Sequence, residues 1–150
     1  MIFRRIWDVN SETNMKLMQQ MRRRFRVSSQ CAVDFASKDG ELRVFIVAGE
    51  VSGDTIGSRV MTSLVKLSPL PVRFAGVGGK MMSKQGLNSL FPMEDIAVMG
   101  IWELLPYLNQ FRVRLKQTIE AALSFKPHVV LTVDSKGFSF RFLKHLRGDS

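Results

Sequence analysis

The sequence predicts an α/β protein in which crossover helices cover a parallel β-sheet. From residue 42 onward, short apolar runs of strand length alternate with longer segments in which apolar residues recur every three or four positions. This alternation is typical of parallel strands joined by helices. A glycine-rich turn at 49–57 follows the first apolar run and opens the first helical segment. The 150 residues suffice for one domain with one modest core.

The individual elements follow from local patterns. Apolar runs predict strands at 42–48, 72–77 and 129–133, and a weaker strand at 87–91. Apolar periodicity and helix-breaking prolines predict helices at 54–67, 80–85, 106–125 and 138–147. Pro106 suits the first turn of the third of these helices, where its missing N–H group costs nothing.

The first forty residues differ in composition from the rest of the chain. The net charge is +9, from 22 Lys and Arg against 13 Asp and Glu, and residues 1–30 supply more than half of it. The Arg-rich, acid-poor segment MRRRFRVSSQ at 21–30 is typical of a mitochondrial transit peptide. An RNA-binding arm and a solvated disordered tail are the alternatives, but regularly placed aromatic residues for base stacking are missing. We therefore predict a leader at 1–40, a folded part at 41–150 and no nucleic acid as partner.

Other classes of protein are disfavoured by what the sequence lacks. A single cysteine, Cys31, excludes an intramolecular disulfide framework and favours a reducing compartment. No apolar run approaches the roughly 20 residues that a membrane-spanning helix needs. His128 and His145 have neither the spacing nor the acidic neighbours of metal ligands, so no metal site is predicted.

The loop IVAGEVSGDTIGS at 46–58 is the first candidate site. Glycines before a helix let an anion approach its free N–H groups, but Glu50 and Asp54 would repel a phosphate. Carboxylates accept hydrogen bonds from hydroxyl groups, which favours a sugar. Alternatively, Ser52 or Asp54 only caps the helix and the glycines allow close packing. The patterns of dinucleotide-binding and P-loop proteins are absent.

Five motifs between residues 43 and 147 indicate a family: VAGEVSGDTIG, RFAGVGGKMM, GL, MEDIAVMGIWELL and KPHVVLTVDSKGFSF. In this order they resemble the amino-terminal half of the lipid-A-disaccharide synthases, in their plant, mitochondrially targeted form. The resemblance implies a Rossmann-like parallel sheet with crossover helices, as an incomplete N-terminal domain of a GT-B glycosyltransferase. The C-terminal domain, which binds the donor in that class, would then be absent.

The resemblance also implies an activity, substrates and a compartment. The family is an inverting hexosyltransferase of lipid A biosynthesis and needs no cofactor. It transfers 2,3-diacylglucosamine from its UDP form to 2,3-diacylglucosamine 1-phosphate, which gives the β-1,6 disaccharide and UDP. By this resemblance the chain would be a mitochondrial truncated isoform, inactive alone, with peripheral membrane contact and possible pairing with full-length subunits.

Site residues carry over from the matching motifs. Asp134 matches the general base of the family, although a helix cap or an ion pair with Lys136 is the alternative role. The substrate-binding residues implied by the motifs are Gly49, Glu50, Ser52, Gly53, Asp54, Met99, Gly100 and Glu103. After the last strand, bacterial members generally read Asp-x-Pro-Asp-Phe-Asn, whereas this chain has Gly137 and Ser139 at the second acid and the amide.

The segment 98–111, VMGIWELLPYLNQF, carries many large apolar residues and is followed by Arg112, Arg114 and Lys116. Such a surface could seat acyl chains or enter a membrane interface, with the basic residues meeting phosphates. A helix packed in the core is the alternative. The residues predicted to contact membrane or acyl chains are Ile101, Trp102, Leu105 and Leu108.

Two further hypotheses stay open at this stage. A non-catalytic chain could act as an interaction partner, in which case it would co-purify with full-length subunits. A small flavodoxin-like module that binds phosphate or a nucleotide would explain the glycine loop alone, and it would prefer free nucleotide over acylated sugar.

Overall fold

The fold is a parallel sheet covered by helices, as the sequence predicts. The computed structural model describes residues 29–97, 104–134 and 136–147. Within them, β1 (Leu42–Ala48), β2 (Val72–Val77) and β3 (Val129–Val133) form one parallel sheet in the order β2-β1-β3. Leu42 of β1 lies opposite Val72, and Val44 lies opposite Val129. The fold class and the bounds of these three strands are confirmed.

Six helices accompany these strands in the described ranges. They are α1 (Ser29–Asp39), α2 (Val51–Leu67), α3 (Lys80–Ser83), α4 (Glu94–Ala97), α5 (Leu104–Phe125) and α6 (Lys136–Arg147). The sequence placed the starts of α2, α5 and α6 two or three residues too late. For α2 the reason is local: Glu50 is extended at the N-cap, so the helix begins at Val51, before the residues with helical periodicity. Among the described residues no helix is long and apolar enough to cross a membrane.

The predicted strand at 87–91 is wrong. Only one bridge forms there, between Ser89 and Gly76 of β2. The Ser89 hydroxyl accepts a hydrogen bond from the Gly78 N–H group at 3.2 Å and donates one to the Phe91 carbonyl at 2.6 Å. These side-chain bonds satisfy the neighbouring backbone groups, so the segment forms a loop.

The predicted leader overlaps the folded part of the chain. Residues 29–39 were assigned to a leader, yet they form α1, and Ala36 of this helix is 1% exposed. Gly40 follows with φ of +72°, the left-handed conformation in which glycine commonly ends a helix. The sequence did not predict this helix, because residues 29–39 are largely polar and follow an Arg-rich segment. Its packing against β1 depends on partners far along the chain.

Arg43 and His128 connect α1 to the sheet. The Arg43 N–H group donates to His128 Nδ1 at 3.0 Å, so Nδ1 is an acceptor and Nε2 can donate to Asp39 Oδ2, 3.0 Å away. The Arg43 guanidinium pairs with Asp39 at 2.5 Å and with Glu41 at 3.1 Å. It also donates to the carbonyl of Lys126 at 3.0 Å. This cluster joins the end of α1, the start of β1 and the approach to β3.

Apolar clusters cover both faces of the sheet. Alternate residues of β1 point to opposite faces: Phe45 and Val47 to one, Ile46 and Ala48 to the other, all 0% exposed. The first face packs against α5 and α6 through Phe111, Leu115, Ile119, Phe138 and Phe142. The second packs against α2 and the segment after β2 through Met61, Met82, Leu87 and Met93. Burial of β1 on both faces explains the continuous apolar run at 44–48.

We expect Asp39→Ala to destabilise the fold at neutral pH, because both Arg43 and His128 lose a partner. The hydrogen bond from Arg43, and next that from His128, hold the pKa of the Asp39 carboxyl below its ordinary value of 3.8. A lowered pKa means that the carboxylate stabilises the fold above its unfolded pKa and that this contribution is lost as pH falls through the folded value. Urea unfolding of both proteins at a series of pH values should show their stabilities converging below about pH 4.

The matched control is Asp34→Ala, also on α1, at an exposed carboxylate for which the described residues show no ion pair. Its effect on the free energy of unfolding at neutral pH should be small. A deficit of Asp39→Ala that is the same at pH 7 and at pH 3 would contradict the role of the charged pair.

Candidate functional site

The candidate site lies where the loops after β1 and β3 meet. The chain passes from β1 to β2 on one side of the sheet and then to β3 on the other side of β1. This reversal leaves a crevice beyond the carboxyl ends of β1 and β3, the place where ligands bind in open α/β sheets. The glycine-rich turn follows β1 and Asp134 follows β3, so both predicted groups of site residues reach this crevice.

Asp134 is brought next to the first turn of α2. The Ser52 hydroxyl donates a hydrogen bond to Asp134 Oδ2, and both residues are exposed. Asp134 has φ of +46°, a left-handed conformation that Asp and Asn tolerate better than most residues. Within the described ranges, no other hydrogen bond to this carboxylate is recorded, so its Oδ1 can accept one from a ligand. A held, solvent-facing carboxylate is suited to accept a proton or a hydroxyl hydrogen bond.

Gly53 allows this approach of α2 to β3. A Cβ atom at Gly53 would lie 2.8 Å from the Val133 carbonyl oxygen and 3.3 Å from Asp134 Cβ. The first of these neighbours is backbone of a paired strand, which cannot move without disturbing the sheet. The glycine is therefore needed for close packing, and its place in the predicted site follows from contact with Asp134.

Asp54 has a different environment from Asp134. It is 4% exposed, and its carboxylate accepts hydrogen bonds at 2.9 Å from the N–H groups of Gly79, Met81 and Met82. These donors belong to the loop after β2 and to α3, whose N-terminal N–H groups would otherwise be unpaired. We call this arrangement the Asp54 clamp. The clamp gives Asp54 a positioning role. The sequence offered such a role as an alternative, with Asp54 capping its own helix, but the helix that Asp54 caps is α3.

The remaining predicted site residues divide into two groups. Gly49 is buried and Glu50 is exposed at the N-cap of α2, on the same turn as Ser52. Leu105 and Leu108 belong to α5, but their side chains are outside the described structure, and Met99, Gly100, Ile101, Trp102 and Glu103 lie wholly outside the described residues. Contact of these seven residues with substrate, acyl chains or membrane stays a prediction. Among the residues that are described, no three His, Cys, Asp or Glu side chains cluster as metal ligands.

Sequence reasoning missed the part that the loop after β2 plays in this site. RFAGVGGKMM at 73–82 served as a family motif and Gly79 was given no role in the site, yet Gly79 donates to the Asp54 clamp. Its adjacency to the first glycine loop could have been foreseen, since β1 and β2 are parallel neighbours whose carboxyl ends lie at one edge. The individual hydrogen bonds could not.

Comparison with known proteins indicates one family. The sequence model of the family described as lipid-A-disaccharide synthetase matches residues 44–150. The chain is 72% identical over 120 residues to a probable mitochondrial lipid-A-disaccharide synthase of Arabidopsis thaliana, a match that covers 80% of this chain and 26% of the relative. It is 48% identical over 106 residues to the lipid-A-disaccharide synthase of Rhodospirillum centenum, covering 71% and 26% respectively. The chain thus spans about a quarter of the length of these relatives.

We expect Gly53→Ala to destabilise the protein and to separate Ser52 from Asp134. Forcing a methyl group against the Val133 carbonyl typically costs about 1–3 kcal/mol, of which the better helix propensity of alanine returns up to about 1 kcal/mol. Urea unfolding measures the loss. Amide chemical shifts of residues 52 and 134 report the local displacement.

Gly57→Ala is the matched control, because Gly57 lies in the same helix and has the same gain in propensity. Its Cβ atom would meet Met82 Sδ at 2.7 Å, part of a flexible side chain that can turn away. Its cost should therefore be smaller, with the shifts at 52 and 134 unchanged. Equal effects of both substitutions would show that the contact between α2 and β3 does not require a glycine at position 53.

Proposed function

This chain belongs to the lipid-A-disaccharide synthetase family of GT-B glycosyltransferases, and from this we propose that its described part forms the acceptor side of a glycosyltransferase site for lipid A biosynthesis. The acceptor would be 2,3-diacylglucosamine 1-phosphate and the donor UDP-2,3-diacylglucosamine. The observation that carries the proposal is the Ser52–Asp134 hydrogen bond, which holds an exposed carboxylate at the crevice between β1 and β3.

Asp134 is the proposed general base. In an inverting transfer, the acceptor hydroxyl oxygen attacks the anomeric carbon of the donor opposite the departing UDP. The new C–O bond forms as the bond to the UDP oxygen breaks, and the hydroxyl proton passes to a carboxylate. Ser52 donates to Oδ2 of Asp134, which leaves Oδ1 of this exposed carboxylate without a hydrogen bond among the described residues, and Oδ1 is the proposed acceptor of this proton. Glu50, exposed on the same turn, is a candidate to accept a hydrogen bond from a second sugar hydroxyl.

The proposed arrangement of the chain follows the family. Residues 41–150 would contribute the acceptor-side part of a Rossmann-like domain. The nucleotide-sugar donor would bind in a carboxyl-terminal domain, as in the GT-B class. The predicted membrane contact and the pairing with longer subunits would bring the acceptor and this second domain to the site.

The alternative of a phosphate- or nucleotide-binding module is weaker on two grounds. The backbone N–H groups of Gly79, Met81 and Met82 already donate to Asp54, so they are not free for a phosphate. The turn after β1 carries the exposed Glu50, and Ser52 of the same turn contacts Asp134. Two carboxylates at this crevice disfavour a polyphosphate. Binding of UDP alone, tighter than binding of the acylated sugar, would favour this alternative.

We expect Asp134→Asn to abolish transfer without abolishing acceptor binding, because the amide keeps the shape and the left-handed backbone but takes no proton. The test uses a chimera in which residues 44–150 of this chain replace the corresponding segment of the Arabidopsis relative. Loss of a general base lowers kcat by roughly 10²–10⁴-fold. Disaccharide formation measures kcat, and calorimetry with 2,3-diacylglucosamine 1-phosphate measures acceptor affinity.

Glu120→Gln serves as the matched control, since this exposed carboxylate of α5 pairs only with Lys116 at 3.7 Å in the described structure. It should leave both transfer and affinity unchanged. Full activity of the Asp134→Asn chimera would remove Asp134 from the mechanism, and a parental chimera without acceptor binding would overturn the acceptor-side proposal itself.

We also propose a mitochondrial location, which the name of the Arabidopsis relative and the Arg-rich segment at 21–30 support. Residues 1–40 fused to a fluorescent protein should direct it to mitochondria in plant cells. Changing Arg22, Arg23 and Arg24 to Gln should abolish import, since the positive charge drives it. The same fusion with Lys38 changed to Gln, a basic residue outside the Arg-rich segment, should still be imported. Import of the variant with the three arginines changed would contradict the proposal.

A further inference from the structure

A cavity of about 760 Å³ opens beyond the carboxyl end of β2, beside the Asp54 clamp. Gly78 and Gly79 form one side of it, and the buried residues Phe91 and Met93 contribute to an apolar floor. Lys80, Lys84 and Glu94 bring charge to its wall and rim. The cavity is open to solvent over most of its extent, its lining is mainly apolar with a few polar groups, and its volume lies in the range usual for small-molecule sites.

The two lysines are the cations of this cavity that a ligand can engage. Lys80 and Lys84 are exposed, lie four residues apart at α3 and make no ion pair among the described residues. The basic residues that the sequence assigned to phosphate contact are engaged elsewhere. Arg114 pairs with Asp95 at 2.5 Å and lies over the Phe91 ring at 4.8 Å, and Lys116 pairs with Glu120.

Other donors around the cavity are already used. Asp54 accepts from the N–H groups at the start of α3. The Ser83 hydroxyl donates to the Gly79 carbonyl at 3.0 Å, and the Ser89 hydroxyl donates to the Phe91 carbonyl at 2.6 Å. Recognition of an anion in this cavity therefore falls to Lys80 and Lys84.

We propose that Lys80 and Lys84 bind the phosphate monoester of the acylated sugar acceptor, an inference that rests on the proposed function. With Glu94 at the rim, the charged side chains give the cavity a small positive balance. This balance suits one phosphate monoester, and the apolar floor suits the uncharged body of an acylated sugar.

The position of the cavity fits one ligand that spans both places. Neighbouring strands lie about 4.8 Å apart, so the ends of β2 and β3 are separated by roughly 10 Å across β1. The lysines lie at α3, beyond the end of β2, so a monosaccharide phosphate with its reacting hydroxyl at Asp134 must span at least this distance to place its phosphate at them. The Asp54 clamp connects the two places, since Asp54 follows Ser52 and Gly53 on α2 and holds Gly79 at the cavity wall.

The first experiment tests the phosphate subsite without the sugar. Octyl phosphate is titrated into the full chain while amide chemical shifts are followed, with octanol as the uncharged comparison. Saturable shifts at residues 78–84 with octyl phosphate alone are expected. Lys80→Gln/Lys84→Gln should weaken binding at least tenfold, because a charge-assisted hydrogen bond commonly contributes that factor.

The control variant is Lys38→Gln/Lys66→Gln, which removes the same charge from lysines at the ends of α1 and α2. It should bind octyl phosphate as the wild type does. Each single variant, Lys80→Gln and Lys84→Gln, guards against misfolding of the double variant and should show an intermediate affinity. No binding by the wild type, or an equal loss in the control, would overturn the subsite.

The second experiment separates this inference from the proposed function. The same proteins are titrated with 2,3-diacylglucosamine 1-phosphate and with its dephosphorylated form. The wild type should prefer the phosphorylated sugar at least tenfold, and Lys80→Gln/Lys84→Gln should lose this preference while retaining the dephosphorylated sugar. Binding of octyl phosphate but of neither sugar would keep a phosphate subsite, contradict the proposed function and overturn the sugar phosphate as ligand. Preference for the phosphorylated sugar that survives in the double variant would overturn the role of the lysines.

Discussion

The Asp54 clamp is the interaction on which the site depends. A buried carboxylate is costly unless hydrogen bonds compensate for lost hydration, and here three backbone N–H groups at 2.9 Å do so. Because Asp54 lies in the first turn of α2 and its donors lie after β2, the clamp fixes two loops relative to each other. The clamp thereby positions Ser52, which lies on α2, and the cavity lysines, which lie at α3.

The two aspartates illustrate how the environment divides one residue type between structure and chemistry. Asp54 is 4% exposed and both its oxygens accept hydrogen bonds from the backbone, whereas Asp134 is exposed and has one oxygen without a hydrogen bond among the described residues. Gly53 connects the two aspartates structurally. Because it has no side chain, the helix that carries Asp54 can approach the strand that Asp134 follows. The proposed base and the proposed phosphate subsite thus belong to one rigid edge of the sheet.

The contacts at the amino-terminal ends of the strands stabilise the fold. There the ion pairs and hydrogen bonds of Arg43 join α1 to the beginning of β1 and to the turn before β3. These groups lie at the amino-terminal ends of the strands, away from the crevice. Charge at the amino-terminal ends of the strands is therefore paired. Beyond the carboxyl ends, Glu50, Asp134 and the two cavity lysines make no ion pair among the described residues.

The sequence by itself determined the fold class and the bounds of the three strands, because short, mainly apolar segments alternating with helical periodicity are typical of a parallel sheet covered by helices. It also determined that Asp134 and the glycine loop would share an edge, because parallel strands place their carboxyl ends together. Tertiary structure alone decided that Asp54 faces the backbone of α3, that residues 87–91 form a loop and that 29–39 form a helix. Each of these outcomes depends on a partner distant in sequence, such as Gly79 for Asp54 or His128 for Asp39. Local sequence patterns do not identify such partners.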